Sequence, residues 1–362
     1  MCTLSQTACI LYCVMQHATA SLSNATPKDE VPRAVPLVVT TWAAPCFQQA
    51  TAEAWKVLNK TGSRIEAVLA GGATAEHSQC DTSVGYGNHP DEAGETTLDA
   101  LVMDGPGHRM GAVGSLRQVK NAIGVAAAVM NYTRHSFLVG GAATRFAKEM
   151  GFEVEDLHTH NSWAEWKKWM GNQCQPNYRK NVIPAANSSC GPYKPKAQLD
   201  TLSDRQRHAG EAASAGEHDT IGMIVIDANA DIAVGTSTNG ASHKVPGRVG
   251  DSPIAGAGAY VDNAVGAAAG TGDGDIMMRS LPSYQAVENL RQGMTPDGAA
   301  RDAISRCVQH HRMFSGAVIV ANKRGQHGAA CHAIRTFTYN FYDSTSSHVQ
   351  TRTVNCTATM DS

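Results

Sequence analysis

The chain has 362 residues, and its 30 basic and 32 acidic side chains give a formal net charge of -2 at pH 7. Since 42% of the residues are hydrophobic and 17% are charged, the composition excludes a disordered chain and supplies a sizeable core. The balance of charges argues against a nucleic-acid partner, because it implies no strongly basic face. The length permits one large domain or two domains of about 100–200 residues.

The N-terminus has the pattern of a secretory signal peptide. Residues 8–15 form an apolar run, which is shorter than the roughly 20 residues that a membrane-spanning helix needs. An A-x-A-like cleavage signal, Ala18-Thr19-Ala20, follows this run. No Lys or Arg precedes the run, so the alternative is the irregular N-terminus of a cytosolic protein. We expect residues 1–20 to be removed as a signal peptide, and we predict no membrane span in the rest of the chain.

Glycosylation sequons and cysteines indicate the same oxidising route. Five N-x-[ST] acceptors occur, at Asn24, Asn59, Asn131, Asn187 and Asn355. Three of the ten cysteines would leave with the signal peptide, and seven would remain: Cys46, Cys80, Cys174, Cys190, Cys307, Cys331 and Cys356. A Cys174–Cys190 disulfide would close a Pro- and Asn-rich loop, and Cys331–Cys356 would fix the C-terminal tail. An odd number leaves at least one thiol free or paired between chains. No C-x-x-C pair occurs, so no structural zinc site is predicted.

The first half of the chain mixes short strands with helices. Strands are predicted at 37–41, 97–103 and 111–115, and helices at 48–59, 63–76, 117–131, 142–150 and 161–171. The last of these helices carries Trp163, Trp166 and Trp169 three residues apart, and we interpret this aromatic face as ordinary core packing. Residues 196–217 are polar and rich in Ala, Gly and Ser, which indicates a mobile linker that extends to residue 219.

A β-hairpin is predicted directly after this linker. Residues 220–226 and 232–238 are rich in β-branched residues, and residues 227–231 between them have turn chemistry. A hairpin that is symmetric about Asn229 places Thr220 opposite Thr238. Residues paired in this way have Cβ atoms about 4.5–5.5 Å apart.

The C-terminal part combines Gly-rich segments with further regular elements. The Gly-rich segments lie at 247–253, 256–259 and 270–275, the predicted helices at 283–292 and 297–311, and the predicted strands at 316–322 and 333–341. Residues 270–275 have neither the Rossmann spacing nor a P-loop Lys, so no nucleotide is predicted. The EF-hand ligand order is also absent, so no calcium site is predicted.

The sequence His218-Asp219-Thr220, where the linker meets the strand, contains a candidate nucleophile. A hydroxyl is a weak nucleophile unless a base lies nearby. If the chain is cut before Thr220, the new α-amine supplies that base, with a reference pKa of about 7.7–8.0. The same hydroxyl could make the cut by attacking the carbonyl of Asp219, in an N-to-O acyl shift.

Sequence blocks on both sides of this point resemble the glycosylasparaginase (aspartylglucosaminidase) family of N-terminal-nucleophile hydrolases. The blocks begin with His218-Asp-Thr-Ile-Gly-Met-Ile-Val-Ile226 and Gly235-Thr-Ser-Thr-Asn-Gly240. Others lie at 38–42, 94–99, 120–125, 174–178, 191–195, 247–253, 281–287 and 316–318. Collinear matches over most of the mature chain make the resemblance specific, whereas an isolated His-Asp-Thr would carry no information.

The resemblance implies roles for the reacting groups. Thr220 would be the nucleophile, and Asp219 would serve only in self-cleavage. Thr238 would hydrogen-bond the nucleophile. The Thr271 hydroxyl and the Gly272 N–H would form the oxyanion hole.

It also implies how the substrate is held. Arg248 would bind the substrate's α-carboxylate, and Asp251 would bind its α-ammonium. Without the family, a surface ion pair would be the simpler interpretation of these two residues. Other substrate-binding or near-site positions implied by the family are Asp273, Gly274, Trp42 and Ser83.

The family fold is an α+β, four-layer αββα sandwich. An α chain of residues 21–219 and a β chain of residues 220–362 would share one domain and assemble as a dimer of αβ units. The implied activity is hydrolysis of the amide between N-acetylglucosamine and the asparagine side chain, with no metal or organic cofactor. The implied location is the secretory pathway, with a lysosomal or secreted destination.

Two other functions remain open on the sequence. A plain L-asparaginase or isoaspartyl peptidase would use the same mechanism and the same substrate clamp. A secreted, uncut precursor with a binding role is the alternative outside the enzymes, since Glu217 stands where Gly is usual. The family partner of Cys80 is also missing, at Ala75, and Cys46 is a candidate substitute.

Overall fold

The computed structural model describes residues 35–79, 81–196 and 220–357. The described strands are β1 Leu37–Thr40, β2 Leu98–Asp104, β3 Arg109–Leu116, β4 Phe137–Val139, β5 Val182–Ile183, β6 Lys194–Pro195, β7 Ile221–Ile226, β8 Ile232–Thr238, β9 Ala259–Asp262, β10 Gly266–Gly272, β11 Gly316–Asn322, β12 His327–His332, β13 Thr336–Asp343 and β14 Gln350–Asn355. The described helices are α1 Pro45–Thr61, α2 Arg64–Ser78, α3 Ala122–Tyr132, α4 Gly140–Glu149, α5 His160–Gly171, α6 Gly274–Ser280, α7 Pro282–Arg291 and α8 Pro296–His310. The predicted signal peptide, Asn24, Cys80, Asp219 and the linker beyond residue 196 lie outside the described residues.

Two large antiparallel sheets organise this mixed α+β fold. The larger sheet has the strand order β14-β13-β1-β7-β8-β2-β3-β4, and only its β3–β4 pair is parallel. The smaller sheet has the order β12-β11-β10-β9. A third, two-stranded sheet joins β5 to β6. The hairpin strands β7 and β8 lie at the centre of the larger sheet, so the residues at their ends are held by neighbours on both sides.

Buried side chains form three hydrophobic clusters. Leu37 and Val39 of β1 belong to a cluster shared with residues of the smaller sheet, such as Ala269. Val38, between them, belongs to a second cluster shared with α1 to α4, of which Phe47 is a member. A third cluster joins the smaller sheet to α6, α7 and α8. Because successive side chains of a strand point to opposite faces, a strand buried on both faces has a continuous apolar sequence.

The predicted hairpin has the predicted register. Ile221 pairs with Ser237, and Ile226 pairs with Ile232, so the strands are symmetric about Asn229. The predicted break between the first two helices is also confirmed. Helix α1 ends at Thr61, its C-cap residue Gly62 has a left-handed φ of 70°, and the Ser63 side chain caps α2.

Strands β9 and β10 lie in a Gly- and Ala-rich region that the sequence left without regular structure. The segments 256–259 and 270–275 contribute to β9, to β10 and to the start of α6. Their small residues reflect close packing, since a Cβ added at Gly270 would lie 2.2 Å from the Met277 methyl carbon. The sequence did not predict these strands, because β-propensity is highest for large, branched side chains. The strand predicted at 333–341 begins later, at Thr336.

Only part of the tryptophan face of α5 packs in the protein core. Trp169 is buried, donates a hydrogen bond to the Pro176 carbonyl and stacks on His243 with 4.6 Å between ring centroids. Trp163 is 42% exposed and stacks on Trp166. The core interpretation is therefore correct for Trp169 and wrong for Trp163.

Both predicted disulfides with described partners are confirmed, Cys174–Cys190 and Cys331–Cys356. Cys307 is a buried free thiol, which is one of the two outcomes that the odd cysteine count allowed. Cys46 is disulfide-bonded, and the pairing with Cys80 remains a prediction. No helix within residues 35–79, 81–196 and 220–357 is long and apolar enough to cross a bilayer.

Candidate active site

Two hydroxyl groups hold the backbone of Thr220, the candidate nucleophile. Its N–H donates to Thr271 Oγ1 at 2.9 Å, and its carbonyl accepts from Thr41 Oγ1 at 2.7 Å. The Thr41 hydroxyl also accepts from the Gly222 N–H at 2.9 Å. Thr220 itself is only 4% exposed. The residue is therefore fixed at both ends before any substrate arrives.

Thr271 lies on β10, in the smaller sheet, and links Thr220 to Trp42. The Trp42 Nε1–H donates to Thr271 Oγ1 at 3.0 Å. The left-handed backbone of Trp42 (φ 56°) places its carbonyl where the Asn340 side chain donates to it at 2.6 Å. Its ring packs edge-on against Phe337. Trp42 thus supports the site through Thr271, the position that the family resemblance assigns to the oxyanion hole.

Thr238 ends β8, opposite the start of β7, as the hairpin register requires. Its hydroxyl donates to the Ser83 carbonyl at 3.1 Å and accepts from the Gly240 N–H at 2.9 Å. The Ser83 carbonyl also accepts from the Asn239 N–H at 2.7 Å. Ser83 therefore contacts the site through its backbone oxygen. The hydrogen bond expected between Thr238 and Thr220 stays a prediction.

Arg248 is half-buried and Asp251 is buried, and each has a hydrogen-bonding atom that is not used. Arg248 Nη2 donates to Asp275 Oδ2 at 2.9 Å, while its Nε has no partner among the described residues. Asp251 is 4% exposed, and its Oδ2 also lacks a partner within the described structure. Burial raises the pKa of Asp251 to about 7, although the nearby Arg248 opposes this shift. A buried carboxylate oxygen without a hydrogen-bond partner destabilises the fold unless a ligand donates a hydrogen bond to it.

Three glycines leave room for this charged pair. A Cβ at Gly240 or Gly250 would lie 2.9 Å from Arg248 Nη1, and a Cβ at Gly274 would lie 2.5 Å from Asp251 Oδ1. Side chains at these positions would therefore collide with the charged groups. Gly274 is a predicted substrate-binding position, and its contribution is that the missing side chain leaves space for the charged groups.

Gly272 and Asp273 continue from β10 into α6. Gly272 has a φ of 128°, and a Cβ there would lie 2.4 Å from the Gly316 Cα atom. Asp273 caps α6, its side chain accepting from the Ile276 N–H at 3.4 Å. Burial raises the pKa of Asp273. The structure therefore gives Asp273 a local role in starting the helix.

One cavity brings most of these residues together. It is lined by Thr220, Thr238, Gly240, Ala241, Arg248, Gly250, Asp251, Gly272 and Gly274. Thr271 and Trp42 lie behind the nucleophile, and Ser83 lies behind Thr238. No group of His, Cys, Asp or Glu side chains in the described ranges could hold a metal ion.

Sequence reasoning missed three buried polar residues beside this cavity. In the sequence, Thr41 stood out only as the neighbour of Trp42. Lys244 is 2% exposed and donates to the Asn239 carbonyl, and burial lowers its pKa to about 8. Asp99 is 2% exposed and lies on β2. No spacing pattern identifies these residues, because Thr41 and Asp99 contact distant parts of the chain and the burial of Lys244 is a tertiary property.

Comparisons with known proteins agree with this geometry. The family model described as asparaginase matches residues 28–351. The N(4)-(beta-N-acetylglucosaminyl)-L-asparaginase of Rattus norvegicus is 51% identical over 317 residues, which cover 87% of this chain and 90% of the relative. The protein of that name from Mus musculus is 51% identical over 315 residues, covering 87% and 89%. A putative N(4)-(beta-N-acetylglucosaminyl)-L-asparaginase from Drosophila yakuba is 47% identical over 352 residues, covering 95% and 87%.

Proposed function

The chain belongs to the asparaginase family, and from this premise we propose that it is an N(4)-(β-N-acetylglucosaminyl)-L-asparaginase. It hydrolyses the amide that joins N-acetylglucosamine to the side chain of asparagine. One observation carries the proposal. A single cavity contains the backbone-fixed Thr220 together with two oppositely charged groups, the half-buried Arg248 and the buried Asp251, each with an atom that lacks a partner in the described structure.

The fold proposed for this activity is the four-layer αββα sandwich of N-terminal-nucleophile hydrolases. The three hydrophobic clusters support it. One is shared by α1 to α4 and the larger sheet, one by the two sheets, and one by the smaller sheet and α6 to α8. The processed α chain (residues 21–219) and β chain (residues 220–362) would both contribute to the first two clusters, and the β chain alone would form the third.

Activation begins with cleavage of the peptide bond between Asp219 and Thr220. The Thr220 hydroxyl oxygen attacks the Asp219 carbonyl carbon, the C–N bond breaks, and the freed nitrogen takes up a proton. Water then hydrolyses the ester and releases the carboxylate of Asp219. Thr220 keeps its hydroxyl and gains an α-amine. The hydrogen bonds of Thr41 and Thr271 to Thr220 support this step, because they restrict the nucleophile's backbone.

In catalysis, the α-amine of Thr220 acts as the general base for its own hydroxyl. The hydroxyl oxygen attacks the side-chain carbonyl of the substrate and forms a tetrahedral intermediate. The Thr271 hydroxyl and the Gly272 N–H stabilise its negative oxygen. A hydroxyl can do this while it accepts from the Thr220 nitrogen, since it has one proton and two lone pairs. The glycosylamine leaves with the proton, and water hydrolyses the β-aspartyl ester.

Substrate selection depends on the clamp of Arg248 and Asp251. The guanidinium binds the α-carboxylate, and the carboxylate of Asp251 accepts from the α-ammonium. The partnerless Asp251 Oδ2 supports this assignment, because a bound ammonium would satisfy it. An asparagine inside a polypeptide lacks both charged groups and would be rejected.

We assign the protein to the secretory pathway, with a lysosomal or secreted destination, and to a dimer of αβ units. Two disulfides support the secretory pathway, because disulfides persist in oxidising compartments. So does the exposure of the sequon residues Asn59, Asn131, Asn187 and Asn355. The dimer rests on family membership alone. Size-exclusion chromatography with light scattering tests it, and a stable single αβ unit would contradict it.

The test of the function is N-terminal sequencing after a reducing gel, followed by assays of purified protein. We expect two chains, the smaller beginning Thr-Ile-Gly-Met, and release of N-acetylglucosamine from glycoasparagine. The same compound blocked at its α-amine should resist hydrolysis. Preferential turnover of L-asparagine or a β-aspartyl dipeptide would assign the chain to the asparaginase or isoaspartyl peptidase branch. A single uncut and inactive chain would contradict the enzyme assignment.

A further inference from the structure

A β-bulge interrupts the pairing of β2 with β3 beside the cavity. Leu98 pairs with Leu116, but Ala100 pairs with Val113, so the register shifts at Asp99. Ser115, in the bulge, has a left-handed φ of 47°. A bulge leaves one residue outside the ladder and redirects the side chains around it. Here the Ser115 N–H points to the Asp99 side chain and donates to Oδ1 at 2.7 Å.

The second oxygen of Asp99 holds the loop that carries the substrate clamp. Asp99 Oδ2 accepts from the Gly250 N–H at 2.8 Å. Gly250 lies between Arg248 and Asp251, and a Cβ there would lie 2.9 Å from Arg248 Nη1. The peptide that Asp99 fixes is therefore packed directly against the guanidinium group. Asp99 also pairs with Thr238 on the adjacent strand.

The carboxylate of Asp99 is fully enclosed. Its exposed fraction is 2%, and burial raises its pKa, while the backbone donors Gly250 and Ser115 and the charges of Lys244 and Arg248 oppose that shift. A buried carboxylate that accepts two backbone N–H groups is costly to replace, because both donors then lose their partner. Such a group stabilises one geometry of the loop that it contacts.

We propose that Asp99 is a positioning residue for substrate binding: it fixes the Gly250 peptide and thereby sets the spacing between Arg248 and Asp251. This inference rests on the proposed function, since it assumes that these two residues hold the α-carboxylate and the α-ammonium. Asp99 itself touches no substrate atom. Its effect is therefore on affinity for molecules that carry both α-groups.

The test compares Asp99→Asn with Asp104→Asn. The control residue lies at the other end of β2, is also 2% exposed, and is paired with Arg64 and Arg109 outside the cavity. We expect Asp99→Asn to raise KM for glycoasparagine and the dissociation constant of L-aspartate by about tenfold, because one buried N–H then faces an amide donor. The kcat per processed chain should change much less. Asp104→Asn should alter neither constant.

Several results would overturn the proposal. Equal shifts in the two variants, or reduced kcat with unchanged KM and L-aspartate affinity, would assign Asp99 to general stability. Asp99→Ser, which removes the carboxylate without introducing an amide donor, is the second variant if Asp99→Asn is not processed. Failure of both to fold, with Asp104→Asn folded, would assign Asp99 to folding alone. Calorimetric binding of L-aspartate needs no turnover, so this test remains valid if wild-type protein does not hydrolyse glycoasparagine.

Discussion

The backbone nitrogen of Thr220 lies 2.9 Å from the hydroxyl oxygen of Thr271, which belongs to the other large sheet. This nitrogen is the atom that becomes the α-amine in the proposed enzyme. The hydroxyl that would position the base is therefore already in contact with it in the continuous chain. Thr271 also receives the Trp42 indole N–H at 3.0 Å. One oxygen thus connects the nucleophile, a buried aromatic side chain and the proposed oxyanion hole.

Replacement of Thr271 by Val keeps the shape of the side chain and removes this oxygen. We expect the kcat of Thr271→Val to fall by about 10²-fold or more, as is typical when an oxyanion-hole donor is lost. Cleavage before Thr220 should also slow. A reducing gel measures the cut, and hydrolysis of glycoasparagine per processed chain measures kcat. Thr271→Ser, which keeps the hydroxyl, is the matched control and should retain most of the activity; wild-type kcat in Thr271→Val would contradict the assigned role.

The Thr41 hydroxyl is expected to matter equally for the geometry of the nucleophile. Thr41→Val leaves the Thr220 carbonyl and the Gly222 N–H without their hydroxyl partner. Each unsatisfied buried group costs about 1–3 kcal/mol, so we expect lower stability together with lower kcat. The control is Thr51→Val, which removes a buried hydroxyl that bonds to the Thr40 hydroxyl and the Phe47 carbonyl instead. It should lower the melting temperature without changing kcat per processed chain, and equal kcat losses in the two variants would contradict a specific role for Thr41.

Stability should depend on pH through Glu76, which lies behind β8. Its side chain is fully buried, accepts from the Ser237 hydroxyl at 2.6 Å and from the Ile123 N–H at 2.9 Å, and burial raises its pKa to about 8. In the unfolded chain the pKa is about 4.3. Between these values the folded state holds a proton that the unfolded state has lost, so stability falls as pH rises.

The Glu76→Gln variant removes this dependence. Relative to wild type, we expect it to gain stability by about 1 kcal/mol per pH unit as pH rises from about 5 to 7.5. Denaturant unfolding at the two pH values measures the difference. Glu66→Gln, on the exposed part of the same helix, controls for loss of a carboxylate. A difference between wild type and Glu76→Gln that does not grow with pH would refute the prediction.

The sequence could predict what depends on local pattern. The symmetric turn about Asn229 fixed the hairpin register and placed Thr220 opposite Thr238 before any contact was known. The sequence could not predict Asp99 as a partner of Gly250, since 151 positions separate them and a bulge aims the side chain. It also missed β10, because the Ala and Gly residues that permit close packing resemble a loop composition.

Gly274 leaves space beside the clamp of Arg248 and Asp251. A Cβ at Gly274 would lie 2.5 Å from Asp251 Oδ1 and 3.2 Å from Arg248 Nη2. Because Asp251 is buried and Arg248 is hydrogen-bonded to Asp275, Gly274→Ala must displace at least one of these two side chains. We expect kcat/KM for glycoasparagine to fall by about 10²-fold, the loss that a displacement of about 1 Å can cause, mainly through a higher KM. Gly141→Ala, in α4, is the matched control, because a Cβ there meets nothing within 4 Å. It should preserve kcat/KM and stabilise the helix by up to about 1 kcal/mol. Steady-state kinetics and thermal unfolding of both variants measure these effects. An unchanged KM in Gly274→Ala would show that the clamp lies elsewhere.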